Sequence, residues 1–193
     1  DMALSTNVRA LVIVDVQPTF CEGGSLAVEG GNQVAADIGT LINSDHGYAL
    51  VATTQDWHIE PGDHFSEEPD LIDSWPPHGV AGTPDAALHP ALADEAQHID
   101  CGVRKGQYGA AYSGFEGTTE EGTSLAALLR NAAVTDVDVV GLALDHCVRA
   151  TALDAVKEGF ATRVLVELTA AVANDTAVSA LGELREAGVV LEN

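Results

Sequence analysis

Apolar residues recur along this chain in two rhythms. Runs with almost no polar break, RALVIVDV at 9–16, YALVATT at 48–54 and ATRVLVEL at 161–168, read as strands buried on both faces. VDVVGLAL at 137–144 has the same character, His98–Arg104 is a weaker version ending at Lys105, and VVL at 189–191 closes the series. Between these runs the period lengthens to that of a helix. Val34, Ile38, Leu41 and Ile42 share one face, Leu125, Leu128 and Leu129 another, and Val148, Ala152, Ala155 and Val156 a third, with a last helix over Thr176–Ala187. Asn32 is placed to cap the first helix, Thr123 opens the second, Gly159 stops the third, and Asn174 or Asp175 caps the last.

Six strands alternating with helices predict a single three-layer α/β domain with a parallel sheet, spanning 1–193. Residues 1–7, which open on Asp rather than Met, are expected to stand outside it as a disordered or added N-terminus. Right-handed crossovers and short connections favour the doubly wound order 3-2-1-4-5-6. Strands 1 and 4 are then neighbours at the switch point, beyond whose carboxyl ends ligands bind. Asp15 ends strand 1 and Cys147 follows strand 4, so the two are expected to face one another.

Composition narrows the function. The apolar fraction of 46% argues for a folded core, and the net charge of −22 argues against nucleic acid or an anionic membrane as partner. A solvated acidic shell is the simpler reading of that charge. No apolar run is long enough to span a bilayer, since LVIV at 11–14 is cut off by Asp15, and no signal peptide is visible. Three cysteines without a CxxC pair fit a reduced, cytoplasmic chain with no disulfide framework. A monomer or small homo-oligomer is expected, with a small molecule as its substrate. Only two lysines occur, Lys105 and Lys157, against six arginines, a hint that Arg would not serve at 105.

Cys147 lies just past a strand end, in what reads as the first turn of a helix. There the helix dipole and free N–H groups should lower its thiol pKa and offer an oxyanion site. Asp15 beside it suits a general base, and Lys105 would hold both groups charged. Lys105's strand lies two places from Asp15's, about 10 Å away, a distance the lysine stem or a loop bend must cover. The stretch from Gln55 to Leu92 is long for a loop and carries six of the seven prolines and four of the seven histidines. Within it Asp56, His58, His64 and His78 form a ligand set suited to zinc, manganese or ferrous iron. Phe20, Trp75 and Tyr112, on loops at the same edge, could wall a slot for a flat ring. QPTFCEGG after strand 1 is not a dinucleotide fingerprint, and no phosphate-binding P-loop pattern occurs.

With these residues in hand, the chain resembles the nicotinamidases and pyrazinamidases of the isochorismatase-like cysteine hydrolase family, the actinobacterial pyrazinamidases most closely. RALVIVDVQ, FCEGGSLAV, QDWHIEPGDHFS, SWPPH, KGQYGAAYSGFEG, GLALDHCVRATALDAV and TRVLVELTA carry the resemblance across almost the whole chain. It implies an isochorismatase-like hydrolase fold and an amidase converting nicotinamide to nicotinate and ammonia, with pyrazinamide as a further substrate. It implies Asp15, Lys105 and Cys147 as catalytic triad, and one divalent metal, zinc ahead of iron or manganese, on Asp56, His58, His64 and His78. Phe20, Trp75, Tyr112 and His146 match substrate-slot positions. A cis peptide before Ala143 is implied too, with the N–H groups of Ala143 and Cys147 as oxyanion hole. The chain departs from these relatives at Gly79, where they have Cys, and at Leu144, where they have Thr; with Gln107, these differences are expected to tune substrate preference. Two other readings stay open: an amidohydrolase acting on N-carbamoyl or ureido compounds, and a non-catalytic metal- or ligand-binding homologue.

Overall fold

The computed structural model describes residues 6–193, so the reading of the N-terminal segment falls, for residues 1–5, outside the described residues. Six parallel strands form one sheet: β1 (Arg9–Val14), β2 (Leu50–Asp56), β3 (Cys101–Lys105), β4 (Asp136–Leu142), β5 (Ala161–Ala170) and β6 (Val190–Glu192). Their order is β3-β2-β1-β4-β5-β6, as expected from the crossover rules. The helices are α1 (Gly31–Ile42), a single turn α2 (Pro90–Ala93), α3 (Leu125–Asn131), α4 (Arg149–Lys157) and α5 (Asn174–Glu186).

The alternation of a strand explains the layers. Ala10, Val12 and Val14 of β1 point to one face and pack with Leu125, Leu129, Ala152 and Leu184 of α3, α4 and α5. Leu11 and Ile13 point to the other and meet Val34, Ala35, Ile38 and Ile42 of α1 and Leu92 of α2. Every residue from Ala10 to Val14 has no exposed surface. Burial of each such Val, Leu or Ile contributes about 1.5–3 kcal/mol, which is why these runs contain no polar break.

Element ends differ from the sequence reading in instructive ways. β1 stops at Val14 because Asp15 adopts a left-handed backbone (φ +52), and β2 runs on through Gln55 to Asp56. β3 begins at Cys101 rather than His98. α3 starts at Leu125 under a Ser124 cap, not at Thr123. Asn32 lies inside α1 and does not cap it: the Glu22 carboxylate accepts from its N–H (2.9 Å) instead. α5 is capped neither by Asn174 nor by Asp175. Asp145 accepts from Val172 N (2.9 Å), Ala173 N (3.1 Å) and Thr176 Oγ1 (2.5 Å) and ties that helix start to the turn carrying Cys147. Both contacts come from side chains outside the helix, ten positions away for Glu22 and at least 27 for Asp145, where the spacing within the helix carries no signal.

Candidate active site

The carboxyl ends of β1, β2, β3 and β4 converge on one buried cluster. The left-handed backbone at Asp15, an uncommon conformation for a residue with a side chain, turns its carboxylate across the end of β2. There Oδ1 accepts from Thr54 Oγ1 (2.6 Å) and Oδ2 from Lys105 Nζ (2.8 Å). Lys105 pairs with Asp56 in the β2–β3 register, and its stem reaches the remaining distance to Asp15. Its ammonium also donates to Asp56 Oδ1 and to Ala111 O (3.0 Å) and lies 3.9 Å from Cys147 Sγ. Lys105 and Asp15 have no exposed surface at all. Burial opposes the lysine's charge, but Asp15 and Asp56 outweigh it and hold the ammonium well above its ordinary pKa.

Cys147 does not occupy the first turn of an α-helix. It sits in a single π-helical turn, Leu144–Val148, that precedes α4. Ala143 O accepts from His146 N (3.1 Å) and Val148 N (3.0 Å), and the N–H of Cys147 between them is not among its donors. The Leu142–Ala143 peptide is cis. Thr151 Oγ1 donates to Cys147 O (2.7 Å) and receives Gly114 N (3.0 Å), which anchors the turn. The expected fall in the thiol pKa is not found; the value is raised well above the ordinary one. Burial is the main cause, and the Asp15 and Asp56 carboxylates add to it, while Lys105, shared with both, offsets only part. Asp15 is raised too, by burial foremost and by Asp56. Burial thus raises the proton affinity of both members of the pair.

Next to this cluster His58, His64 and His78 bring one ring nitrogen each to within 4.8 Å of one another. Each directs its other nitrogen, Nδ1, to a backbone carbonyl: Gly106 O (2.5 Å), Asp73 O (3.2 Å) and Pro76 O (2.8 Å) respectively. That arrangement leaves the Nε2 lone pairs facing inward, the orientation of metal-bound histidines. His58 Nε2 is buried with no hydrogen-bond partner among the described residues, and Asp56 Oδ2 lies 3.4 Å from it and 3.6 Å from His78 Nε2. Burial, then the neighbouring His78 and His58, lower the pKa of His64, favouring the neutral imidazole that a metal needs. Three inward imidazoles, a carboxylate and an orphaned buried nitrogen fit a divalent metal ion.

Gly106 makes the approach possible: its φ is +77, and a Cβ there would come within 2.5 Å of the His58 ring. At Gly79, where φ is +55, a Cβ would lie 3.0 Å from Asp56 Cβ, a tight contact that a small side chain can meet with a slight shift. Gly79, Gln107 and Leu144, the positions of departure, do not line the pocket. Gln107 instead supplies a carbonyl to Ile59 N and Glu60 N and steadies the histidine loop.

The pocket itself holds about 470 Å³, part of it open to solvent, with Cys147 on one wall and Asp56, His64 and His78 on another. Phe20, Trp75, Tyr112, Ala143 and His146 all line it, and Asp15, Lys105 and His58 lie behind its walls. Trp75 stands edge-on to His146 and donates from Nε1 to Tyr112 Oη (3.2 Å). Sequence reasoning missed Leu26, Val28, Ala111, Leu142 and Val172 as walls. It also missed Gln17, fully buried, which exchanges hydrogen bonds with the Asp56 backbone (3.0 Å each). The one available signal was a glutamine and two threonines among apolar strand ends, where buried polar side chains need partners.

The isochorismatase domain family matches residues 9–193. The nicotinamidase/pyrazinamidase of Mycobacterium tuberculosis is 57% identical over 95% of this chain and 97% of its own length. A crystal structure of the L. infantum protein PnC1 in complex with nicotinate superposes with a TM-score of 0.83 at 37% identity, covering 98% of this chain and 94% of that one. The pyrazinamidase of Pyrococcus horikoshii in complex with zinc gives 0.79 at 33% identity over 95% and 97%.

Proposed function

The chain belongs to the isochorismatase domain family, and from that premise we propose that it is a nicotinamidase/pyrazinamidase. It hydrolyses nicotinamide to nicotinate and ammonia, and pyrazinamide to pyrazinoate and ammonia. The observation that carries this reading is the single ammonium of Lys105, in contact with Asp15, Asp56 and the Cys147 sulfur at once. It joins a nucleophile–base pair to a set of metal donors within one pocket.

Asp15 takes the proton of Cys147, and the thiolate attacks the carboxamide carbon. The N–H groups of Ala143 and Cys147 receive the developing oxyanion. As the C–N bond breaks, Asp15 returns the proton to the leaving ammonia. Water, deprotonated by Asp15, then attacks the thioester, nicotinate leaves, and the thiol is restored. Lys105 holds the carboxylates in place through both half-reactions and compensates their charge. Phe20, Trp75, Tyr112 and His146 sandwich and orient the ring. Asp56, His58, His64 and His78 would hold a divalent ion, zinc in our reading with iron or manganese suited to the same donors, which would supply a Lewis-acidic anchor for a ring nitrogen. The three cysteines are free, and no described helix is long and apolar enough to cross a membrane. From the net charge of −22 and the reduced thiols we assign the enzyme to the cytoplasm, as a monomer or small homo-oligomer, with no nucleic acid or anionic membrane partner.

Ammonia release from nicotinamide and pyrazinamide tests the reading, on enzyme as isolated, after chelation, and with zinc restored. Activity is expected with both amides, to fall on chelation and to return with metal. Full turnover after complete metal removal would contradict the role of the histidines, and no release with any divalent ion would overturn the assignment.

A further inference from the structure

The segment Ser66–Ser74 leaves the site just after His64 and re-enters it at Trp75. Its ends are pinned together: Trp75 N donates to His64 O (2.8 Å) and Ser66 N to Trp75 O (3.0 Å). The intervening loop has little apolar anchorage, for Leu71 is 54% exposed and Ile72 70%. Its shape rests on Asp70. One carboxylate oxygen, Oδ1, accepts from Ile72 N (2.9 Å), Asp73 N (3.0 Å), Ser74 N (3.0 Å) and Ser74 Oγ (3.1 Å). Ser74 Oγ in turn accepts from Asp70 N (3.0 Å), and Leu71 N donates to Ser74 O (2.9 Å). A short polar side chain thereby replaces the packing that orders other loops.

The site uses two carbonyls of this knot. Asp73 O accepts from His64 Nδ1 (3.2 Å), which selects the tautomer that turns Nε2 inward. Ile72 O accepts from Tyr112 Oη (3.3 Å), whose oxygen receives Trp75 Nε1 (3.2 Å). We infer that Asp70 is a positioning residue for His64 and for the Tyr112–Trp75 wall, acting through the carbonyls of Asp73 and Ile72. The inference rests on the reading of the three histidines as metal ligands.

Zinc titration of the metal-free protein against a chromophoric chelator, paired with KM and kcat for nicotinamide, tests it. Asp70→Ala is expected to weaken zinc about tenfold, within the range for removal of a supporting hydrogen bond, and to raise KM more than it lowers kcat. Asp70→Asn keeps an Oδ1 acceptor and is expected to recover most of both. Melting of the metal-free proteins should agree within about 3 °C, since the loop carries little buried surface. Ser74→Ala removes the Oγ bonds, is expected to give a smaller loss of the same kind, and stands in if Asp70→Ala fails to fold. Wild-type zinc affinity and KM in Asp70→Ala would overturn the inference, as would an Asp70→Asn variant as impaired as the alanine. His64→Ala separates the two levels. If it loses zinc while Asp70→Ala does not, only the role of Asp70 falls; if it binds zinc as wild type does, the metal reading falls and the role of Asp70 with it.

Discussion

Two buried clusters of charge lie on the same sheet, and they are finished differently. Toward the amino end, Asp138 of β4 has no exposed surface. Its Oδ1 accepts from Arg9 (2.8 Å) and Arg163 Nε (2.8 Å), and its Oδ2 from Tyr48 Oη (2.7 Å) and Arg163 Nη2 (2.6 Å). Burial would raise its pKa, but the bonds from Arg163, Tyr48 and Arg9 prevail and hold it below the ordinary carboxylate range. At the carboxyl end the same ingredients are left unsettled. One lysine serves two carboxylates and a thiol, the proton affinities of Asp15 and Cys147 are both raised, and His58 Nε2 has no hydrogen-bond partner among the described residues. Saturated bonding makes the first cluster a fastening. Proton affinities pushed toward exchange, with donors awaiting a ligand, make the second a place for chemistry.

Substitutions can break that contrast. Asp15→Asn keeps the shape of the carboxyl group but cannot accept the thiol proton. Its kcat for nicotinamide is expected to fall about 10²–10⁴-fold, with the melting temperature little changed or raised, because a raised carboxylate is a strained one. A rate within a few-fold of wild type would remove Asp15 from the reaction. Asp138→Asn should do the converse. Both arginines are about a third exposed at their side chains, so water screens the cluster. The expected loss is then about 1–3 kcal/mol of stability in urea unfolding, with kcat at 25 °C retained. Equal loss of activity and stability would mean that the two ends of the sheet are not separable. The smallest effect lies in pH. Because the folded pKa of Asp138 is lowered, its contribution is complete above the ordinary carboxylate value near 3.8 and disappears as pH falls through the lower folded value. Wild type and Asp138→Asn should converge in stability over that acid window, and a gap that stays constant with pH would rule out the charge as its source.

The contrast also marks what the sequence could disclose. Strands such as RALVIVDV were legible because burial on both faces requires an unbroken β-branched run, and the strand order followed from handedness and connection length. Asp15, Lys105, Cys147 and the histidines stood out as chemistry-bearing residues at strand ends or in a long loop, and the structure gathers them at one pocket. What stayed hidden depends on contacts between distant segments. Asp145 ties down a helix start across the fold, Glu22 reaches over the preceding loop to Asn32, Gln17 clamps the Asp56 backbone, and Thr54 fixes one oxygen of Asp15. The thiol's raised pKa was hidden for the same reason, because local spacing places a cysteine at a turn but cannot say who shares its lysine.

The central claim is that Cys147 attacks the amide, and ammonia release from nicotinamide by wild type and Cys147→Ala, both zinc-loaded and compared side by side, tests it most directly. The account predicts that the variant binds zinc and unfolds as the wild type does while its release rate drops by at least about 10⁴-fold. A variant that still turns over within about tenfold of wild type would contradict it.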